Sequence, residues 1–461
     1  MDKIDLHIPA KATIPGMLLL AGTAAMNAGE KPNIILILAD DMGYECLGAY
    51  GSTYSTPNLD RMAEEGILFT HAYAQPLSTP SRVELMTGRY NHRNYVEFGF
   101  LNQDQQTFGN VAKEAGYRTC IAGKWQLGAN SALPGHFGFD RYCLWQLNYR
   151  RSGNGERYAD PLIEADGKML ERNPDSYGPD IFESYIEDFI DENKEEPFFV
   201  YWPMALVHDP FVVTPDSPEW NSDEDRYAKD NRHFPEMVSY CDKLVGRLIS
   251  YLKDNGLYEN TLIIFVGDNG TNRKIVTRMK DGSEIQGGKG TATENGTHVP
   301  MIATFGSRQG APDICSDLID FSDFLPTLAQ AMGYRNGWVC GSDGRSFLPQ
   351  IEGRKGNPRE WVFCHYDSFF QGADKPEKSA KRFIRNHTYK LYSTGDFFNV
   401  ADDPAEQHEI LPGEGSREAE RDRRSLAKEL ARFPAWKAGD IPVQKVEYPG
   451  LESRSKKYGE D

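Results

Sequence analysis

The sequence predicts an α/β protein, in which a large, mostly parallel sheet is flanked by helices and a smaller C-terminal α+β subdomain holds an antiparallel sheet. Three observations carry this. Continuous apolar, β-rich runs occur at Asn33–Ala39 and Thr261–Val266, the pattern of strands buried on both faces of a parallel sheet. Helical segments alternate with such runs from residue 33 to 305, which is the order of β–α units. After residue 345, short aromatic runs follow one another with no long helix between them.

Each element has a local reason. Pro57 to Glu65 reads as a helix, with Thr56 at the N-cap and Pro57 in the first helical position. Thr107 to Ala115 is a second helix, stopped by Gly116, and feeds a strand over Arg118–Ala122. Pro197–Trp202 is a further apolar strand. Phe234 to Asn255 is a long helix closed by Gly256. Thr261–Val266 and Val299–Phe305 complete the main strands, and Trp361–His365, Lys381–Arg385 and Tyr389–Tyr392 supply the small sheet. This divides the chain into a leader or disordered N-terminus over 1–28, a main α/β domain over 31–345 and a C-terminal subdomain with a polar tail over 346–461. The tail includes Ser453-Arg454-Ser455-Lys456-Lys457.

Composition bounds the function. The 461 residues carry 51 Lys+Arg against 68 Asp+Glu, a net charge of −17, which excludes a nucleic-acid binder working through a basic surface. Lys11 followed by the short apolar stretch Ala12–Ala25 has the form of a secretory leader and points to export. That stretch is too short to span a bilayer, and no other run approaches that length, so no transmembrane segment is expected. The seven cysteines lie far apart with no CxxC pair, which argues against a zinc ribbon. They read as buried small hydrophobes, with one or two disulfides left open for an exported chain.

Two strands end in acidic pairs: Ala39 runs into Asp40-Asp41, and Gly267 into Asp268-Asn269. In open α/β sheets ligands sit beyond the carboxyl ends of the strands. Three carboxylates and an amide meeting there need a cation, and an oxygen-only set suits Ca²⁺ or Mg²⁺. Either pair alone reads better as an ordinary strand-ending turn, and the two together balance that reading against a metal site. Ser78-Thr79-Pro80-Ser81-Arg82 adds a second feature: with Pro80 in the first turn of a helix, Ser78 falls just before its N-terminus, where an anion is favoured. Arg82 follows four residues later, close to the same helix end. A plain capping serine is the bland alternative.

The run Ser78-x-Pro80-Ser81-Arg82-x-x-Leu85-x-Thr87-Gly88 resembles the serine-type maturation motif of the bacterial type I, formylglycine-dependent sulfatases of the alkaline phosphatase superfamily. Further segments resemble the same family in order. They are Asn33–Gly43, Gly123-Lys124-Trp125-Gln126-Leu127-Gly128, Val266–Gly270, Gly287-Gly288-Lys289-Gly290, Glu294–Pro300, Tyr389–Tyr392 and Asn399–Glu406. The resemblance implies an alkaline phosphatase-like fold and a sulfuric ester hydrolase. It implies one Ca²⁺ held by Asp40, Asp41, Ser78, Asp268 and Asn269, and a formylglycine made from Ser78 by a maturation enzyme that reads Ser-x-Pro-x-Arg. Hydration of that aldehyde gives a geminal diol. One hydroxyl attacks sulfur, and the other expels sulfate by C–O cleavage. Arg82, Lys124 and Lys289 are implied to stabilise the charges. His208, after the Pro197–Trp202 strand, is implied to protonate the leaving alcohol. Substrate contacts fall to Lys124, Gln126, His208 and Lys289, and the location implied is periplasmic.

Two positions depart from the family pattern. Gln126 stands where a histidine is usual and cannot accept a proton, which leaves His71, His92 and His136 as unplaced alternatives for that task. His298 replaces the usual arginine before Val-Pro. Trp145, Tyr149, Arg150, Arg151 and Arg157, with Phe369, Phe370 and the loop from Lys375 to Arg382, can wall a groove for a sulfated carbohydrate. Two other readings stand beside the sulfatase: a phosphoester or phosphonate monoester hydrolase of the same superfamily, and a non-catalytic sulfoglycan-binding protein.

Overall fold

Alternation along Asn33–Ala39 builds the centre of the protein. Ile35, Ile37 and Ala39 enter one hydrophobic cluster, Ile34, Leu36 and Leu38 another, and all are fully buried. A strand with both faces covered must be apolar at every position, which is why it reads as a continuous run. Helices Pro57–Glu65, Gly178–Asn193 and Phe234–Asp254 supply the first cluster with Leu59, Phe182 and Met237. Helices Ser78–Thr87, Phe108–Glu114 and Phe324–Ala331 supply the second with Val83, Phe108 and Leu328. Each fully buried Leu or Ile side chain contributes about 1.5–3 kcal/mol. The computed structural model describes residues 31–433 except 146, 148–156, 223, 307–313, 336–338, 340 and 368–380, together with 441 and 444. The unit beginning at Pro32 carries all these elements.

The main sheet has eleven strands. Its spatial order is Ile314–Cys315, Ile67–Tyr73, His298–Phe305, Thr261–Gly267, Asn33–Ala39, Phe198–Pro203, Arg118–Lys124, Arg141–Trp145, Ile163–Ala165 and Lys168–Met169, with Ile319–Asp320 paired to Ile67–Tyr73. The five strands from Thr261–Gly267 to Arg141–Trp145 are mutually parallel. His298–Phe305 runs antiparallel to both of its neighbours, so it begins at the rim where the parallel strands end. A second, four-stranded antiparallel sheet combines Val362–Tyr366, Lys381–Arg385, Tyr389–Tyr392 and Phe397–Asn399. Arg385 of this sheet hydrogen-bonds Glu294, at the entrance to the antiparallel strand, at 2.7 Å.

The expected strands and long helices are present, with ends shifted by a few residues. Thr56 precedes its helix, but its hydroxyl does not cap it; Thr56 Oγ1 donates to Asp60 instead. Three of the longer helices among the described residues were not apparent from the sequence. Gly178–Asn193 starts inside a polar stretch, and Phe324–Ala331 is short. Arg417–Leu430 buries only Ala419 and Leu426, too narrow a stripe to stand out among its charges. Six described cysteines, Cys46, Cys120, Cys143, Cys241, Cys315 and Cys364, are free and buried, so none of these forms a disulfide. The leader, Tyr149, Arg150, Arg151, Phe369, Phe370, most of the Lys375–Arg382 loop and the Ser453–Lys457 run lie outside the described residues.

Candidate active site

The carboxyl ends of the parallel strands and the start of the antiparallel one deliver their side chains to a single rim. Asp40 and Asp41 follow Asn33–Ala39, and Asp268 and Asn269 follow Thr261–Gly267; all four are fully buried. Asp41 takes φ +58, a left-handed conformation that costs a non-glycine residue about 1–2 kcal/mol. Its backbone N–H donates to Asp268 Oδ1 at 3.0 Å, which holds the turn and joins the two acidic pairs. Asn269 Nδ2 donates to Asp41 Oδ1 at 2.9 Å and to the Gly270 carbonyl. Its amide oxygen is thereby turned toward Ser78.

Ser78 is the first residue of helix Ser78–Thr87, one position later than the sequence implied, with Leu77 at the N-cap. It is therefore no capping serine. Its Oγ donates toward Asp40 Oδ1 at 3.1 Å and Asn269 Oδ1 at 3.2 Å, and Lys124 Nζ donates to it at 3.2 Å. Lys124, the last residue of its strand, also reaches both Asp40 oxygens at 2.9 and 2.8 Å. That strand closes on its neighbour through Gly123, where a Cβ would fall 1.9 Å from the Pro203 carbonyl. Arg82, one helical turn beyond Ser78, donates to Asp268 Oδ2 at 3.1 Å and to the Lys124 carbonyl at 3.4 Å.

Lys289 and His208 arrive from opposite sides. A Cβ on Gly288 would fall 2.4 Å from the Asn295 backbone, so only glycine lets this loop fold tightly enough to point Lys289 inward. Lys289 Nζ donates to Asp41 Oδ2 at 2.5 Å and lies 2.9 Å from His208 Nε2. His208 Nδ1 faces the Asp209 carbonyl at 2.6 Å and the Asp209 carboxylate at 3.1 Å. The loop is pinned to the acidic turn, since Asp40 N–H donates to the Leu206 carbonyl and Val207 N–H to the Asp40 carbonyl. Tyr158 Oη donates to the Ala205 carbonyl at 2.9 Å and to the His208 carbonyl at 2.5 Å.

These charges set one another's protonation. Burial alone would raise Asp40, but Lys124, His208, Arg82 and Lys289 together hold it well below the ordinary carboxylate range. Burial first, and then the Asp40 charge, push Asp268 up to about 6. Burial lowers Lys124 to about 8. The hydrogen bond from His208 holds Asp209 well below the usual range.

The donor set fits a hard divalent cation. It offers three buried carboxylates and one oriented amide oxygen, and Asp268 is a carboxylate whose charge its surroundings disfavour until a cation is supplied. Ligand atoms of Asp40, Asp41 and His208 also lie within 4.8 Å of one another, so the imidazole stands at the edge of the same cluster.

Of the residues expected at the site, Asp40, Asp41, Ser78, Arg82, Lys124, His208, Asp268, Asn269 and Lys289 lie together at this rim. Gln126 follows Lys124 with φ +56, and its Oε1 is shut off from solvent without a hydrogen-bond partner. The alternative histidines make their contacts elsewhere. His71 stacks near His298 and His387, His92 packs on Phe363, and His136 Nε2 meets the Gln103 carbonyl. His298 bonds the Thr70 carbonyl and stacks on Tyr44, which is a packing role. Sequence reasoning missed the parts played by Asp209 and Tyr158, which act through spatial neighbours and carry no spacing signal. Arg157, expected in a groove wall with Trp145, stacks its guanidinium 4.1 Å above the Trp145 ring and sets Nη1 3.9 Å from Asp40 Oδ2, closer to the acidic turn than the sequence indicated.

Comparisons with known proteins agree with this geometry. The sulfatase family model matches residues 32–334. Human arylsulfatase A is 31% identical over 87% of this chain and 87% of its own length. Dog N-acetylgalactosamine-6-sulfatase is 32% identical over 73% of this chain and 69% of its own length. The crystal structure of Ps i-CgsB, also solved with k-i-k-neocarrahexaose, superimposes with a TM-score of 0.72 at 25% identity, covering 90% of this chain and 95% of that one.

Proposed function

Because this chain belongs to the sulfatase family and is a sulfatase, we propose that its substrate is a sulfated carbohydrate, cleaved at a formylglycine made from Ser78 beside one Ca²⁺. The observation that carries this reading is the position of Ser78 Oγ, within 3.2 Å of Asp40, Asn269 and Lys124 at once. Formylglycine, once formed, supplies a geminal diol in place of a single hydroxyl. Ca²⁺, held by Asp40, Asp41, Asp268 and Asn269 with residue 78 beside it, supplies positive charge next to that diol and a sulfate oxygen.

The chain's own residues do the rest. Lys124 holds the oxygen of residue 78 and Asp40 in one hydrogen-bonded group, so the nucleophile is oriented before the ester arrives. Arg82 neutralises Asp268 from below and keeps the acidic turn from repelling itself. Lys289 offers an ammonium that can leave Asp41 for a sulfate oxygen. His208 Nε2 faces the same space and is the group able to protonate a leaving alcohol.

The carbohydrate is supported by the names of two relatives, a hexosamine sulfatase and a protein solved with a neocarrahexaose, and by the aromatic–arginine wall of Trp145 and Arg157. A two-metal phosphoester hydrolase would need a second ligand cluster. Among the described residues, Asp40, Asp41 and His208 are the one triad of metal-ligating side chains. The leader-like stretch Ala12–Ala25 supports export to the periplasm, and no described helix is long and apolar enough to cross a membrane.

Mass spectrometry of the peptide containing Ser78, from a host that has the maturation enzyme, tests the proposal. Loss of two hydrogens is expected, and Ser78→Ala is expected to abolish sulfate release from a folded protein. Unmodified serine in an active preparation would overturn it.

A further inference from the structure

The cations that line this rim are not equivalent. Lys124 is committed to Asp40 and Ser78, Lys289 to Asp41, and Arg82 to Asp268. Arg157 is different: its Nε and Nη1 are both shut off from solvent and have no hydrogen-bond partner among the described residues. Leaving charged donors buried and unpaired is costly, and buried polar groups in folded proteins are nearly always satisfied. Nη1 does face Asp40 Oδ2, but at 3.9 Å, about one ångström longer than a hydrogen bond between ions.

The position is a built one. The guanidinium is 4.1 Å from the Trp145 ring centroid, and Trp145 ends the strand next to that of Lys124. The backbone beneath it is clamped. Gly178 N–H donates to the Tyr158 carbonyl at 2.9 Å, and a Cβ on Gly178 would fall 2.0 Å from the Arg157 carbonyl. Tyr158, the next residue, holds the His208 loop through the Ala205 and His208 carbonyls. Arg157 is thus fixed to the framework that places the general acid, while its donors point at the carboxylate nearest Ser78.

We infer that Arg157 is a further substrate-binding residue, donating from Nη1 to an unesterified oxygen of the sulfate group being removed. The inference rests on the sulfatase reading above and moves Arg157 from a wall of the glycan groove to a direct contact with the sulfate being removed. A planar guanidinium locked on an indole face offers donors in a fixed direction, with little left to order on binding.

The test uses the full chain and inorganic sulfate as the probe. Sulfate affinity is measured by calorimetry, and sulfate inhibition is measured during turnover of 4-nitrophenyl sulfate. Arg157→Ala is expected to weaken both about 10- to 100-fold, the size of one lost charge-assisted hydrogen bond, and to raise KM more than it lowers kcat. Arg157→Lys keeps the charge and the stem, guards against a folding defect, and should recover part of the loss. Unchanged sulfate affinity and KM in both variants, with turnover intact, overturns the inference and leaves the sulfatase reading standing. That result is also the one expected if Arg157 meets only a second anion on a larger glycan. Sulfate binding that depends on Arg157 without turnover of any sulfate ester would support the inference and count against the reading of Ser78.

Discussion

Lys289 places its ammonium 2.9 Å from Nε2 of His208 while His208 Nδ1 faces the Asp209 carbonyl at 2.6 Å. With Nδ1 held at the Asp209 carbonyl, Nε2 is the ring nitrogen that faces Lys289 and the rim. A sulfate ester that draws Lys289 away frees Nε2 to face the leaving oxygen. His208→Ala is therefore expected to slow hydrolysis of an alkyl or sugar sulfate by about 10²–10⁴-fold. It should slow 4-nitrophenyl sulfate far less, because nitrophenolate leaves without a proton. Equal losses on the two substrates, compared as kcat/KM, would rule out general-acid action.

Removal of the metal should abolish activity. Dialysis against a chelator is expected to stop sulfate release and lower the Tm, and added Ca²⁺ should restore both. A ligand binding only the folded state at 100 times its Kd stabilises by about 2.7 kcal/mol. Zn²⁺ should restore activity poorly, since Asp40, Asp41, Asp268 and Asn269 offer oxygen alone. Full activity after verified metal removal would sink the assignment.

Gln126 is an amide whose buried Oε1 has no hydrogen-bond partner among the described residues. It accepts a hydrogen bond but cannot take a proton, so under the formylglycine reading proposed above the half-reaction that regenerates residue 78 has no base at this position. Rapid mixing with 4-nitrophenyl sulfate is expected to show a burst of nitrophenol, and Gln126→His to shrink that burst while raising kcat. A linear progress curve in the native enzyme would contradict this.

Glu45 is fully buried, and neither carboxylate oxygen has a hydrogen-bond partner within bonding distance among the described residues. Burial pushes its pKa from 4.5 up to about 7. Between those values the folded state binds more protons than the unfolded state, so this group makes stability fall as pH rises, and the deficit is complete above pH 7. Glu45→Gln removes it. The variant should be more stable than the native protein at pH 8, by up to about 3 kcal/mol, with the difference vanishing near pH 4. Urea midpoints at the two pH values check this, and a pH-independent difference would refute it.

The ligands of the site were legible in the sequence because each follows a run that can only be a buried strand. Asp40 and Asp268 come straight after seven-residue stretches of unbroken burial, and parallel strands end at one rim. Ser78 and Arg82 were legible because a proline fixes where their helix begins. Local pattern reports what an element buries; it left each acidic pair open as an ordinary turn, and the resemblance to the sulfatase motifs carried the reading further.

What it does not report is which distant loops meet. The antiparallel course of His298–Phe305, the Lys289–His208 contact across 81 residues, and the closeness of Arg157 to Asp40 follow from strand order and from close approaches at Gly123, Gly178 and Gly288. None of these leaves a periodic trace in the chain. The amino-acid order alone settled which groups stand at the ends of the strands; only the packed sheet decided which of them share their charges, because electrostatic coupling depends on distance through space and on burial, not on separation along the chain.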